Sequence, residues 1–459
     1  MIDLHHIDKY QENNRIEAKR ATGGFPHSLW ETYSAFANTI GGLILLGVEE
    51  ARDKTLTVVG VPDPEEYRRI FWEGVNSRRV VSVNILKPED VTVQWVEGKA
   101  ALVIQVPRAS RREKPVYLGD SPFTGSYRRD GEGDYHCTEE EVRGMLRDRD
   151  DAPQDLRPLE EIPLSCLCQK TLREFRLLMA MRNPDHPWNR LPDEEFLLAA
   201  GAAGWDARRW EVHPTVAGLL LFGQLRELKA TFPHYRLIYR EEEREIDSES
   251  GDWSGNLFDF YWRTARRLTA LSILHTADQE KAAFIAGALR EAAGNAILHA
   301  DYFGGGGLQI LRTRDALWVK NPGAFRVSPE RAKTGGDADP RNVVLTRLFA
   351  LVRVGSGGGQ GLRSIYATWA QQGWSAPRLQ ETFGPDATSL ALPLSATATA
   401  DRLSQRIAEY LTEEVTATAK KLARDLKVSP VKAQAALSRL AAQGLVTAQG
   451  SPPVYALRA

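Results

Sequence analysis

The chain has 459 residues, and 59 Lys and Arg against 60 Asp and Glu leave a formal net charge of −1. With 42% hydrophobic and 26% charged residues it has the balance of globular modules, which excludes a disordered or globally polybasic chain. No apolar run approaches the roughly 18 residues of a membrane span, and Met1-Ile-Asp-Leu-His-His6 lacks the basic flank and apolar stretch of a signal peptide, so a cytoplasmic protein is expected.

Length sets an expectation of about three domains. Three cysteines cannot build a disulfide framework, and Cys166 and Cys168 stand too close for a C-x-x-C metal pair, so reduced thiols are expected.

Residues 1–150 read as a first α/β unit. Glu12-Asn-Asn-Arg-Ile-Glu-Ala-Lys19 is a short charged cluster. Leu29, Tyr33, Phe36 and Ala37 form a helical stripe ending at Asn38-Thr-Ile, and Gly41-Gly42 turns the chain into an apolar strand, Gly42–Val48. That strand runs into two carboxylates, Glu49 and Glu50. Further strands are expected over 55–59, 91–96 and 101–106. A closing helix is expected over 138–146, where Thr138 and Glu141 have the spacing of a capping box. Arg108, Arg111, Arg112 and Lys114, then Arg128 and Arg129, are two basic runs suited to phosphate contact or simply to a solvated loop. Asp148–Pro163, charged and holding three prolines, reads as a linker.

Two motifs in order, the Glu12/Glu17/Lys19 cluster and Ala35-Phe-Ala-Asn-Thr-Ile-Gly-Gly42 with its apolar strand, resemble the AlbA-like domain of the Schlafen and RecG-like families over residues 8–150. The resemblance implies a nucleic-acid-binding domain, with Lys19 beside the basic runs, and ribonuclease activity in the true Schlafens. Under it, Glu12, Glu17 and Glu49 or Glu50 would hold Mn2+ or Mg2+ and activate water. Glu stands here where the family strand ends in Asp. The other reading of Glu12, Glu17 and Lys19 is a structural ion-pair cluster.

Residues 151–245 read as a helical, then extended connecting region. Residues 246–395 follow as a further domain. A long helical pattern begins near Gln279 and carries Glu291, Asn295 and His299 on one face, because residues four apart share a face. A carboxylate one turn from an amide suits a Mg-nucleotide site; a polar solvated face is the other reading. Strands over 308–313 and 316–320, the turn Asn321-Pro-Gly323, an apolar helix around Val344–Phe349 and the glycine run Gly355-Ser-Gly-Gly-Gly-Gln-Gly361 come next. A glycine-rich loop feeding a helix offers N–H groups to phosphates.

The ordered set resembles the GHKL-type ATP-binding domain of RecG-like proteins, in which E-x-x-x-N-A-x-x-H-x-D-Y, N-P-G and G-x-G-x-G recur in this order. It implies ATP and Mg2+ as cofactors, Glu291 as the hydrolysis residue, Asn295 as the Mg2+ ligand and Gly357, Gly359 and Gly361 as phosphate-loop glycines. His299 shares the face of Glu291, and Gly323 belongs to the turn after Asn321. Active GHKL ATPases hold the adenine amino group with an Asp; the matching turn here begins with Asn321, which can still bond a base.

Residues 401–459 read as a third module. Ile407, Tyr410 and Leu411 open a stripe, a helix follows over 418–426, and Ser429-Pro430 starts a helix over 431–443 that buries Val431, Ala435, Leu437 and Leu440. A hairpin of 445–448 and 454–457 closes it. The order resembles a winged helix-turn-helix, with Lys432, Gln434 and Arg439 facing a groove and Lys420, Lys421 and Arg424 near phosphates, or else a surface for protein contacts and homodimer formation.

The expected fold class is therefore multidomain α/β (α+β). The expected function is nucleotide-responsive nucleic-acid binding, DNA over RNA, in the manner of a bacterial transcriptional regulator. The alternative is a Schlafen-like metal-dependent (ribo)nuclease serving defence or stress response. No G-x-x-x-x-G-K-[ST] loop is present, which argues against a P-loop helicase.

Overall fold

The computed structural model describes residues 4, 7, 13–206, 208–241, 244–250, 253–275, 279–313, 315–355, 358–394, 403, 406–407, 410–411, 416–442, 446–449 and 453–457. The fold is mixed α/β and multidomain. Two units separate by contact: residues 1–149 with 397–459, and residues 150–396.

In the first unit, β1 (Ile16–Lys19), β2 (Gly42–Leu46), β3 (Val48–Glu50), β4 (Leu56–Val58), β5 (Val91–Val96) and β6 (Lys99–Val106) make two sheets. The larger has the order β1-β2-β6-β5, with β1 and β2 parallel and the other pairs antiparallel. Side chains of a strand alternate between faces. On β2, Ile44 and Leu46 therefore join a cluster with Tyr33, Phe36 and Phe71, from helices Leu29–Asn38 and Pro64–Val75. Leu45 joins Ile16, Val48 and Val103 on the other face. Burial on both sides explains the unbroken apolar run.

The strand stops earlier than the sequence suggests. Gly47 sits at φ +83°, and a Cβ there would meet the Gly60 carbonyl carbon at 2.9 Å. Only glycine fits both the left-handed backbone and the approach. The chain turns at Gly47, so Glu49 and Glu50 lie on β3, which pairs with β4 in a separate hairpin. The capping box forms as expected: the Thr138 amide donates to Glu141 Oε2 at 2.6 Å and the Glu141 amide to Thr138 Oγ1 at 3.3 Å, starting helix Glu139–Arg149.

In the second unit, the hairpin β9 (Ala203–Asp206) and β10 (Glu211–Pro214) precedes a six-stranded sheet. Numbering β7 (Tyr127–Asp130) and β8 (Gly133–His136) in the first unit, that sheet comprises β11 (Leu237–Glu241), β12 (Arg244–Asp247), β13 (Leu308–Arg312), β14 (Ala316–Pro322), β15 (Arg378–Thr382) and β16 (Ala387–Pro393). Its order is β12-β11-β13-β14-β16-β15, and β11 and β13 are parallel. One apolar cluster runs from Leu159, Phe175 and Phe222 through Phe260, Leu289 and Ile297 to Phe349, Trp369 and Leu392, so the connecting region and the sheet share a core. The expected linker is part of it. Leu159 is buried, and the buried Asp155 accepts the Leu345 amide at 2.8 Å, satisfying an open N–H at the start of helix Val343–Leu351.

In the C-terminal segment, β17 (Thr416–Thr418), β18 (Val446–Gln449) and β19 (Val454–Leu457) form a sheet of order β17-β19-β18 beside helices Ala419–Asp425 and Pro430–Ala442. Ser429 Oγ accepts the Lys432 amide at 3.3 Å, so Ser429 caps the second helix as expected. The buried face differs from the expected one: Ala433, Ala436, Leu437 and Leu440 point inward, whereas Ala435 is exposed and Val431 is 79% exposed.

Candidate functional site

Helix Gln279–His299 is fixed at its C-terminal end, where carbonyls lack helical partners. Asn342 Nδ2 donates to the Leu298 carbonyl at 3.1 Å and the Ala300 carbonyl at 2.8 Å, and Arg341 Nη1 donates to the His299 carbonyl. A guanidinium at this end also complements the helix dipole. This anchoring holds Glu291, Asn295 and His299 toward one cavity of about 470 Å³.

Two other chain segments close on that cavity. Asn321 arrives at the end of β14, opposite Thr388 of β16, and both line it. Asn321 Nδ2 donates to the Pro322 carbonyl at 3.2 Å. The glycine-rich loop supplies Gly355, Gly358, Gly359 and Gly361. Helix Gly361–Gln372 starts here with no side-chain cap on its first amides. Its Gly361 lies against the 291/295 face: a Cβ there would meet Asn295 Nδ2 at 2.6 Å, and Glu291 Oε1 as well. Gly323 belongs to the same neighbourhood through its carbonyl, which accepts Thr388 Oγ1 at 2.8 Å. Gly357 lies outside the described residues.

Arg326, Arg341, Arg353, Asp337 and Asp339 also line the cavity and were given no role from the sequence. Arg326 bonds the Pro340 carbonyl at 3.1 Å and pairs with Asp339 at 3.5 Å. Arg341 Nη2 bonds the Ala324 carbonyl at 3.0 Å. The one available signal was a charged stretch between two motifs. His299 lines this cavity; burial pulls its imidazole down to about 4, and the positive Arg341 and Arg326 add to the effect. The positive charges of Arg341 and Arg326, unlike the burial, favour an anion in the cavity.

In the first unit the acidic residues are divided. Glu17 and Lys19 share a face of β1 and pair at 3.0 Å. Glu17 also meets Arg129 at 3.0 Å. Glu49 pairs with Arg20 at 3.4 Å and Glu50 with Lys54 at 3.6 Å. Glu12 lies outside the described residues, and among the described residues no three His, Cys, Asp or Glu side chains form a metal-holding group.

The basic residues separate by exposure. Arg129 is 4% exposed, lies between Glu17 and Asp134, and stacks over Phe36 at 5.1 Å. Lys114 is 7% exposed and donates to the Asn38 carbonyl. Both charges therefore serve the interior. Arg128 is held by Asp130 and Glu141, and Arg111 bonds the Asp148 carbonyl at 2.8 Å. Arg108 is half-buried and Arg112 exposed. In the C-terminal segment Lys432 and Arg439 are exposed, while Gln434 Nε2 donates to Tyr455 Oη at 2.6 Å. Lys420 and Arg424 are exposed, with Arg424 paired to Asp425. Cys137 is buried, and Cys166 and Cys168 are partly so, all three free. Among the described residues no helix is long and apolar enough to cross a membrane.

Comparison with known proteins places family matches on both units. Residues 12–138 match the Schlafen AlbA_2 family. Residues 305–385 match the family named for the C-terminal part of the ATP-dependent DNA helicase recG. Residues 143–238 match a domain of unknown function, DUF8451. No curated protein matches the chain. Among solved structures, the DIP2311 protein from Corynebacterium diphtheriae matches at 18% identity over 97% of this chain and 79% of that one, with a TM-score of 0.40. The N-terminal domain of a RecG-related protein from Nitrosomonas europaea matches at 35% identity over 30% of this chain and 92% of that one, with a TM-score of 0.23.

Proposed function

We propose that this chain, with its Schlafen AlbA_2 domain and its recG C-terminal HATPase-like domain, is a nucleotide-responsive nucleic-acid-binding protein that acts as a DNA-binding regulator. The observation that carries the reading is the convergence of Glu291, Asn295, Asn321, Gly359 and Gly361 on one cavity. The residues fit ATP with Mg2+. The cavity has the size of a small-molecule site. Asn295 offers a hard oxygen beside the Glu291 carboxylate, and the N-terminus of helix Gly361–Gln372 offers N–H groups to phosphate. In this GHKL-type reading Asn295 holds the cation, Asn321 meets the base, and Glu291 orients a water. Bound Mg2+ would neutralise phosphate charge. Nucleic acid would be held by the AlbA_2 domain through exposed cations such as Arg112, and by residues 401–459 as a winged helix through Lys432 and Arg439.

The nuclease reading has weaker support, because Glu17, Glu49 and Glu50 are each taken up by a different cation. Calorimetry tests the nucleotide site: ATP should bind the full chain with Mg2+, and Asn295→Ala should remove the Mg2+ dependence while the far-ultraviolet spectrum is unchanged. Absence of ATP binding to the wild type would end this reading.

A further inference from the structure

The hairpin of β9 and β10 ends in Trp205-Asp206, then Arg208-Arg209-Trp210-Glu211. Trp205 is 56% exposed and Trp210 is 81% exposed, which leaves on the order of 300 Å² of indole in water. Two exposed indoles at one loop tip offer ring faces for a partner to stack on. The tip is built. The buried Asp206 accepts the Arg208 amide at 2.7 Å through Oδ1, and its carbonyl accepts the Trp210 amide at 2.9 Å. Trp210 is held at φ +58°, a conformation bulky residues avoid unless their surroundings impose it. Arg208 and Arg209 are exposed, and among the described residues neither guanidinium has a hydrogen bond or ion pair. Of the nearby acids, Asp206 Oδ1 accepts the Arg208 amide, and the exposed Glu211 side chain lies 3.7 Å from His213 Nε2.

We propose that this tip is a contact site for single-stranded nucleic acid, with bases stacking on Trp205 and Trp210 and phosphates meeting Arg208 and Arg209. Two exposed rings flanking two unpaired cations complement a strand that offers π-faces and negative charge at a short repeat. The site lies outside both the AlbA_2 match and the C-terminal segment, so it stands independently of duplex binding by those parts.

The test uses the full chain and a fluorescent 20-nucleotide poly(dT), with a labelled DNA duplex alongside. Trp205→Ala with Trp210→Ala should weaken poly(dT) binding about tenfold or more, since each stacked base contributes that order of affinity. Duplex binding should change far less. Trp210→Phe, which keeps a ring, should retain most of the affinity. Arg208→Gln with Arg209→Gln should flatten the salt dependence for poly(dT) by about one unit of log–log slope. Unchanged poly(dT) affinity in the aromatic double variant overturns the proposal while leaving duplex binding to stand or fall separately. So does wild-type capture by anionic phospholipid vesicles that the variant loses with poly(dT) binding intact, which would assign the tip to a membrane surface.

Discussion

Gly361 and Asn295 stand so close that a Cβ on the glycine would lie 2.6 Å from the asparagine Nδ2. The groups in the way are the mobile ends of Asn295 and Glu291, so the fold can yield and the site cannot. Gly361→Ala should therefore fold normally while binding ATP at least tenfold more weakly. Equal ATP affinity by calorimetry would show that the helix start takes no part in binding.

Asn38 explains why the Ala-Phe-Ala-Asn segment is placed where it is. Its Nδ2 donates to the Val116 and Tyr127 carbonyls at 2.8 and 2.9 Å, and its Oδ1 accepts the Val116 amide at 2.8 Å. It ties the helix Leu29–Asn38 to two later segments. Asn38→Ala strands the Val116 amide and the Tyr127 carbonyl, while the Val116 carbonyl keeps Ser34 Oγ as a donor, and should cost about 2 kcal/mol or more. Calorimetric melting should show this as a lowered transition with nucleotide binding retained; an unshifted transition would contradict it.

Arg129 and Arg112 should behave oppositely. Arg129→Ala leaves Glu17 and Asp134 without their shared buried partner, at about 3–5 kcal/mol. Its loss of nucleic-acid binding should follow loss of folding. Arg112 is exposed, so Arg112→Ala should leave melting unchanged and lower affinity for all sequences alike. Binding and melting measured side by side separate the two.

Two groups of the second unit titrate against each other. Burial pushes the Asp155 carboxyl up to about 6, against the Leu345 and Val344 amides and Arg347. The folded chain then binds the extra proton between about 4 and 6, so stability falls as pH rises through that window, by about 3 kcal/mol. His299, drawn down to about 4, does the reverse. There the unfolded chain binds the proton between about 4 and 6.5, and stability is lost as pH falls. The two nearly offset. Asp155→Asn should leave stability that rises with pH, and His299→Gln stability that falls. Hydrogen-exchange protection of helix Val343–Leu351, corrected for intrinsic rates, checks the slopes; identical slopes in all three proteins would refute the assignment.

The sequence made the nucleotide-type cavity partly legible, because Glu291, Asn295 and His299 lie four residues apart and the glycine loop is a contiguous signal. Arg326, Arg341 and Arg353 reach the same cavity from irregular or terminal segments whose side chains follow no period. The end of β2 was not legible because apolar residues flank Gly47 on both sides, and only the approach of Gly60 shows the turn. Asp148–Pro163 has a linker's composition, yet Asp155 serves a helix 190 residues away, a contact no local pattern encodes. In helix Pro430–Ala442 alanines lie on both faces, so the stripe reads at more than one angle, and Ala433 with Ala436 proves to be inward.

The most direct test of nucleotide-responsive binding is duplex DNA affinity with and without ATP and Mg2+, for the wild type and Asn295→Ala. Coupled sites shift each other's affinity by about 5–150-fold, and the shift is reciprocal. The account predicts an ATP-dependent change in DNA affinity of that order in the wild type, matched by the change DNA makes in ATP affinity, and none in Asn295→Ala. DNA affinity that stays the same at saturating ATP would contradict it.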